Sequence, residues 1–127
     1  MIFDTTFLID LLKNNPSAKR KAQEMDQSNQ VVATTTITLY ESWRGLYDAP
    51  EKQNALNEIL GELRLLTLTE KSAKKAAEIE AELIRSGEQI DAVDCMIAAI
   101  AMENRETLLT RNVRHFSRIF GLKVETY

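Results

Sequence analysis

The chain has 127 residues, 44% hydrophobic and 28% charged, which is the composition of one ordinary globular domain. With 16 basic and 19 acidic residues the formal net charge is −3, so a general basic coat for nucleic acids is excluded, whereas a local basic patch is not. A single cysteine excludes an internal disulfide and a cysteine zinc site, which favours a reducing, cytoplasmic location. We expect neither a secretion signal nor a membrane helix, because the longest apolar run is far shorter than the roughly 20 residues that a membrane helix needs.

Apolar residues alternate between strand-like runs and helical spacing along the whole chain. In chain order the predicted elements are a strand at Met1–Phe3, a helix over Phe7–Leu12, a polar helix through Met25, a strand at Val31–Thr34, helices over Leu39–Tyr47 and Leu56–Leu63, a strand at Leu65–Thr69, helices over Ala73–Leu83 and Val93–Ala101, and strands at Thr107–Thr110 and Leu122–Val124. This alternation is typical of a parallel sheet covered by helices on both faces. We therefore predict a three-layer α/β fold that forms one domain over residues 1–127.

Polar residues stand where a parallel sheet would gather them at one edge. Asp4 follows the first predicted strand, and Glu41 lies in the first turns of the helix after the second. Asp94 opens the Val93–Ala101 helix, and Asn112 follows the fourth strand. Ligands of open parallel sheets bind beyond the carboxyl ends of the strands, near a switch in strand order. The sequence therefore predicts that these side chains share one site.

Helix capping is the alternative explanation for each acid taken singly. Thr38 and Glu41 fit a capping box, and Asp4 could cap the helix that follows it. Asp91 and Asp94 fit an N-cap followed by a first-turn acid, and for Asp91 capping is the preferred explanation. Clustered carboxylates, however, repel one another unless a divalent cation lies among them. Taken together, the acids favour a cation site.

Two small residues predict open space beside these acids. Gly45 interrupts the Leu39–Tyr47 helix one turn after Glu41, at a cost of about 1 kcal/mol relative to alanine. Ala98 lies one turn after Asp94 and adds little side-chain bulk. We expect both helices to leave room for a large ligand on their polar faces.

Four segments together resemble the PIN-domain family, and specifically the VapC toxins of toxin–antitoxin pairs. They are Met1–Leu12, Thr36–Glu41 followed by Gly45, Asp94–Ala101 and Thr110–Phe116, in the family's order and spacing. The resemblance covers essentially the whole chain. It implies a PIN-like fold with a central, mostly parallel sheet of four to five strands.

The resemblance also implies a ribonuclease that depends on magnesium or manganese, forms a homodimer and is inhibited by a VapB-like antitoxin. Asp4, Glu41 and Asp94 match the three acidic ligand positions, and Asn112 stands where many members have a fourth aspartate. Asp4 and Asp94 are the expected direct ligands, whereas Glu41 could bind a second ion, hold a water or act as general base. An amide oxygen at Asn112 can still bind a metal or a water. Its lost charge weakens the site for a second ion. Transfer RNA and ribosomal RNA are both possible substrates.

Further residues near this edge have two explanations each. Thr6 could hold a water or a phosphate oxygen, or be an ordinary first-turn helix residue. Arg111 and Arg114 could bind phosphates and supply the local positive charge that an acidic protein needs to hold RNA, or lie in a solvated loop. His115 is the only histidine, which excludes a ribonuclease built on a histidine pair, and we expect it to be packed or on the surface. Asp10 is expected to be structural.

Two other functions remain compatible with the sequence. Asn112 suggests a PIN-fold interaction module that has lost catalysis, which would bind a partner tightly and divalent ions negligibly. A housekeeping nuclease for RNA processing would use the same acids. A neighbouring antitoxin gene would favour the toxin over the housekeeping enzyme.

Overall fold

The computed structural model describes residues 1–127, which form a parallel five-stranded sheet flanked by helices. The strands are β1 (Ile2–Phe3), β2 (Ala33–Thr35), β3 (Arg64–Leu66), β4 (Leu108–Leu109) and β5 (Val124–Glu125). The helices are α1 (Thr5–Leu12), α2 (Pro16–Gln27), α3 (Thr36–Gly45), α4 (Pro50–Gly61), α5 (Glu70–Arg85), α6 (Ala92–Glu103) and α7 (Val113–Phe116). The predicted α/β fold is confirmed.

The order of strands across the sheet is β3-β2-β1-β4-β5, and all neighbouring pairs are parallel. The chain builds outward from β1 through β2 to β3, then crosses back to place β4 on the other side of β1. Ile2 pairs with Leu108 and Phe3 with Leu109, so the residues that follow these strands emerge side by side. This change of direction between β1 and β4 is where open α/β sheets bind ligands.

Consecutive strand residues belong to two different cores, because side chains alternate between the faces of a strand. Ile2 and Leu108 join one buried cluster with residues of α5 and α6. Phe3 and Leu109 join the second, with residues of α1, α2 and α4. Both faces of β1 and β4 are therefore covered, which explains their continuous apolar sequence. No helix of the chain has both the length and the apolar character needed to cross a membrane.

Several predicted boundaries move. The predicted strands after the first differ from the observed ones by one to three residues at their ends. Thr36 begins α3 directly after β2, because Thr35 caps this helix: its Oγ1 accepts a hydrogen bond from the Thr38 amide at 2.9 Å. The helix ends at Gly45, so Tyr47, the last residue of the predicted helix, lies in the following turn and is 78% exposed.

Candidate active site

Asp4 lies directly after β1 and is almost fully buried. Its Oδ2 accepts hydrogen bonds from Thr110 Oγ1 at 2.7 Å and from Thr6 Oγ1 at 3.2 Å. Asp4 stands at the N-cap position of α1, yet its side chain makes no capping hydrogen bond. Capping is therefore the wrong explanation for Asp4. Burial raises the pKa of its carboxyl group, and the hydrogen bond from Thr110 only partly opposes this rise.

Glu41 lies beyond the first turn of α3, which is capped by Thr35. The predicted capping box of Thr38 and Glu41 is therefore wrong. Glu41 Oε1 instead accepts a hydrogen bond from Thr5 Oγ1 at 2.7 Å, and this bond joins α3 to the first residue of α1. Because Thr5 follows Asp4 in the chain, the bond brings the Glu41 carboxylate to the carboxyl end of β1.

Asp94 lies in the first turn of α6, after the N-cap residue Asp91. Burial, followed by the negative charges of Asp4, Glu41 and Asp91, raises the pKa of the Asp94 carboxyl group to about 7. Such Coulombic effects decline with distance, so Asp94 faces the same region as Asp4 and Glu41. Asp91 occupies the predicted N-cap position, but it is exposed and its side chain makes no capping hydrogen bond.

His115 is a site residue that sequence reasoning missed. Its Nδ1 lies 3.8 Å from Asp94 Oδ2 and 2.8 Å from Asn112 Nδ2. The Asn112 amide nitrogen of the main chain donates to Thr110 Oγ1 at 3.0 Å, which fixes the start of α7 beside β4. A signal existed in the sequence: Asn112 and His115 are three residues apart at a helix start, and this spacing puts two side chains on one face. With Nδ2 bound to the imidazole, the Oδ1 of Asn112 is left as the free acceptor.

Thr6 links α1 to the segment after β4. Its Oγ1 accepts a hydrogen bond from the Arg111 amide at 3.0 Å and lies 3.2 Å from both Asp4 Oδ2 and Thr110 Oγ1. The hydroxyl is thus engaged with protein groups on three sides. It orients Asp4 and the segment after β4, which is more than the role of an ordinary first-turn helix residue.

The two small residues do not open the site in the predicted way. Ala98 is fully buried in the core cluster with residues of α5, because α6 turns this face toward the sheet. Gly45 is the last residue of α3 rather than an interruption of it. A methyl group at Gly45 would meet no atom within 4 Å, so there is open space one turn from Glu41 that does not depend on the glycine.

The profile of the PIN domain matches residues 1–121. The chain belongs to the PIN-domain family. The tRNA(fMet)-specific endonuclease VapC of Salmonella typhimurium is 30% identical to it, over 99% of this chain and 96% of the relative. Ribonuclease VapC1 of Methanocaldococcus jannaschii is 32% identical over 98% of this chain and 85% of the relative.

A solved structure of VapBC2 from Rickettsia felis, bound to a DNA fragment from its promoter, contains a chain that matches this PIN domain with a TM-score of 0.89. The identity is 26%, over 100% of this chain and 99% of the other. DNA-bound VapBC from Salmonella typhimurium gives a TM-score of 0.87 at 27% identity, over 98% and 96% of the two chains. The predicted VapC resemblance is confirmed, and with it the assignment of this PIN domain to a group of nucleases.

The acids of this PIN domain form a donor set that suits a hard divalent cation. No lysine, arginine or terminal ammonium group forms an ion pair with Asp4, Glu41 or Asp94. No group of three or more histidine, cysteine, aspartate or glutamate side chains is arranged to hold a metal ion in this structure. Magnesium does not need three protein ligands, since it is usually bound by one or two carboxylates and completes its shell with waters and substrate phosphates. As two carboxylates without a lysine or arginine partner, Asp4 and Asp94 fit this pattern.

The two candidate phosphate-binding arginines of the PIN domain differ in how they are held. Arg111 Nη1 lies 3.3 Å from Asp10 Oδ2, while 59% of the arginine side chain stays exposed. Arg114 is exposed on α7 and forms no ion pair. Asp10 is buried, in agreement with the structural role expected for it. Only Arg111 is thus fixed at the edge of the site by the fold itself.

Proposed function

We propose that this PIN domain is an endoribonuclease that depends on magnesium or manganese and acts as the toxin of a VapBC-type pair. Its main support is the gathering of Asp4, Glu41 and Asp94 at the carboxyl end of β1 without a lysine or arginine partner. Burial, and after it repulsion from the charges of Asp4, Glu41 and Asp91, raises the pKa of Asp94 to about 7, and no lysine or arginine forms an ion pair with Asp4, Glu41 or Asp94. A divalent cation relieves such repulsion directly.

In this proposal Asp4 and Asp94 hold the ion. When bound, magnesium or manganese would acidify a water and neutralise the charge that develops on the scissile phosphate. Both hydroxyls that bind Asp4 donate to Oδ2, so neither of them occupies Oδ1, which would act as the ligand. The hydrogen bonds therefore fix the plane of the carboxylate and aim its second oxygen, so that little reorganisation is needed on binding.

Glu41 would orient the attacking water or accept its proton. The bond from Thr5 engages Oε1 only, so Oε2 is left as an acceptor at the same end of the sheet. A carboxylate that is held by one hydroxyl can accept a hydrogen bond from a water through its other oxygen without coordinating the ion. This arrangement suits a general base. Asn112 and His115 would lie on the other side of Asp94.

The expected substrate is a folded RNA, with transfer RNA the first to test. The Salmonella typhimurium relative is named for tRNA(fMet), and it aligns over 99% of this chain. We expect a VapB-like antitoxin as inhibitor, because the similar solved structures are VapBC assemblies. The resemblance to VapC toxins leads us to expect a homodimer as the working form. We expect it to act in the cytoplasm, where its RNA substrate is found.

The decisive experiment is cleavage of a labelled transfer-RNA pool by the wild type, Asp94→Asn and Asp91→Asn, each with magnesium, manganese or EDTA. Asp91→Asn is the matched control, because it removes a carboxylate three residues away that is exposed and makes no capping bond. We expect discrete products from the wild type and from Asp91→Asn, lost in Asp94→Asn and in EDTA. Cleavage that survives in Asp94→Asn would contradict the proposal.

An interaction module without catalysis is the second candidate function. It is favoured by the finding that no group of three or more histidine, cysteine, aspartate or glutamate side chains is arranged to hold a metal ion, together with the neutral side chain at Asn112. Calorimetric titration with manganese separates the two candidates. Binding that is lost in Asp94→Asn supports the nuclease, whereas a wild type that binds neither manganese nor magnesium and does not cleave the pool supports the module.

A further inference from the structure

Asp10 is a buried acid outside the proposed metal-binding group, and two distant parts of the chain hold it. It lies in α1, and its Oδ2 accepts a hydrogen bond from the Tyr127 hydroxyl at 2.6 Å. The same oxygen lies 3.3 Å from Arg111 Nη1. A buried carboxylate is costly unless it is paired and hydrogen bonded, so these two partners compensate its burial.

Arg111 is attached to the site by its main chain and to Asp10 by its side chain. It follows Thr110, whose hydroxyl donates to Asp4, and its own amide donates to Thr6 Oγ1 at 3.0 Å. The guanidinium carries five N–H donors in a planar fork. Because the side chain is 59% exposed while one terminal nitrogen contacts Asp10, the guanidinium keeps donors that the protein does not use. These donors suit a phosphate oxygen.

Tyr127 is fixed by packing as well as by its hydroxyl. Its ring lies edge-on to Phe7, with the centroids 4.8 Å apart, and Phe7 packs in turn on Phe3. The main chain before it is bound to β4, since the Thr110 amide donates to the Glu125 carbonyl at 3.0 Å. Burial and the bond to Asp10 raise the pKa of the Tyr127 hydroxyl, so it stays a donor at neutral pH.

Tyr127 and Arg111 both contact Asp10 Oδ2, so the two side chains compete for one carboxylate oxygen. An unrestrained carboxylate and guanidinium prefer a bidentate pair that uses both oxygens. The short bond from Tyr127 restrains rotation of the Asp10 carboxylate and competes for Oδ2. The Arg111 guanidinium therefore contacts Asp10 through one nitrogen instead of forming a bidentate ion pair that would use two.

We propose that Asp10 and Tyr127 are positioning residues that hold the Arg111 guanidinium at the edge of the active site to bind a phosphate of the RNA substrate. The inference rests on the proposed ribonuclease function and deepens it, because it assigns one phosphate contact and the groups that orient it. It also gives the segment after β5 a part in substrate affinity. In a chain of net charge −3, a cation held at the edge of the site would add a local attraction for RNA phosphates.

The test is the affinity for fluorescein-labelled transfer RNA, measured by anisotropy in an Asp94→Asn background that does not cut the probe. Tyr127→Phe removes one hydroxyl and keeps the ring against Phe7, and Tyr47→Phe, which removes the hydroxyl of an exposed ring, is the matched control. We expect Tyr127→Phe to raise the Kd by roughly 3- to 10-fold, the equivalent of one lost hydrogen bond, and Tyr47→Phe to leave it unchanged.

A double-mutant comparison separates positioning from general stability. Arg111→Ala is expected to raise the Kd at least as much as Tyr127→Phe, and Tyr127→Phe is expected to add nothing further in the Arg111→Ala background. In the cleaving enzyme, Tyr127→Phe should raise KM more than it lowers kcat. An equal loss with and without Arg111, or a Kd for Tyr127→Phe equal to that of Tyr47→Phe, would overturn the inference.

The binding result does not depend on catalysis. If the wild type fails to cleave the probe, the proposed ribonuclease function fails, but the comparison of Tyr127 and Arg111 variants still decides the role of the arginine. If the wild type cleaves and the variants bind normally, the ribonuclease stands and the positioning role falls.

Discussion

The hydroxyl of Thr110 donates a 2.7 Å hydrogen bond to Asp4 Oδ2 across 106 residues of sequence. The two residues follow β4 and β1, the neighbouring strands between which the sheet changes direction. Thr110 also accepts from the Asn112 amide, so one fully buried hydroxyl sets both the plane of the Asp4 carboxylate and the start of α7. The strand pairing thus dictates the geometry of the acidic site.

Thr110→Val removes this hydroxyl while keeping the shape of the side chain. We expect the free energy of unfolding to fall by about 1–3 kcal/mol, because Asp4 and the Asn112 amide lose a buried partner. The rate of RNA cleavage should fall as well, since the Asp4 carboxylate is no longer held in one orientation. Urea unfolding at pH 7 measures the first effect. Thr107→Val, a half-buried threonine whose hydroxyl makes no hydrogen bond, is the control and should change neither quantity.

The metal-free protein is expected to lose stability as pH rises from about 4 to about 7. The folded-state pKa of Asp94, about 7, lies above its ordinary value of 3.8, so the folded state binds more protons than the unfolded state in this range. The stabilising contribution is complete below the ordinary value and is lost as pH rises through the folded value. The raised pKa of Asp4 acts in the same direction.

Guanidinium unfolding in EDTA at pH 5 and pH 8 measures this dependence. Asp94→Asn should flatten the difference between the two pH values, because the asparagine does not titrate. An Asp94→Asn protein with the same pH dependence as the wild type would show that the effect arises elsewhere in the chain.

Manganese is expected to stabilise the protein, and more so at pH 8 than at pH 6. A ligand at 100 times its Kd adds about 2.7 kcal/mol to the free energy of unfolding, and a carboxylate must lose its proton to bind the ion. Thermal unfolding with increasing manganese measures the shift in Tm. Asp94→Asn should abolish the shift and Asp91→Asn should keep it. A shift that survives in Asp94→Asn would mean that the ion binds elsewhere.

His115→Ala is expected to lower kcat by about 10- to 100-fold, the usual range for groups that orient a metal ligand. The imidazole lies between Asn112 and Asp94, so its loss frees both side chains. Cleavage kinetics on the same transfer RNA measure the change. Ser117→Ala, two residues further along on the surface, is the control. A His115→Ala enzyme with wild-type kcat would remove the histidine from the site.

The helices and the order of the elements could be predicted from local pattern, because amphipathic helices and buried strands each carry their own periodicity. The α6 helix is the plainest case: its predicted span Val93–Ala101 lies within the observed Ala92–Glu103. The strands were placed less accurately. They are two or three residues long, and pairing with neighbours rather than local preference determines where each begins and ends.

The sequence could predict the acids of the site, because each follows or opens an element that a parallel sheet brings to one edge: Asp4, Glu41 and Asp94. The groups that form hydrogen bonds with these acids could not be predicted. The sequence alone is consistent with capping at Asp4, yet the folded chain gives this carboxylate to the hydroxyl of Thr110. The place of His115 in the site could not be predicted either, because it depends on the packing of α7 beside Asp94.

The fold class, the family and the residue types of the acidic site could be predicted from the sequence, since these depend on patterns within short segments. Which hydroxyl, imidazole or guanidinium contacts each acid depends on the folded chain. The hydrogen bond from Tyr127 to Asp10 spans 117 positions of sequence, and the ion pair of Arg111 with Asp10 also joins distant parts of the chain. No local pattern encodes such a pair, because strand pairing and core packing bring its members together only in the folded chain.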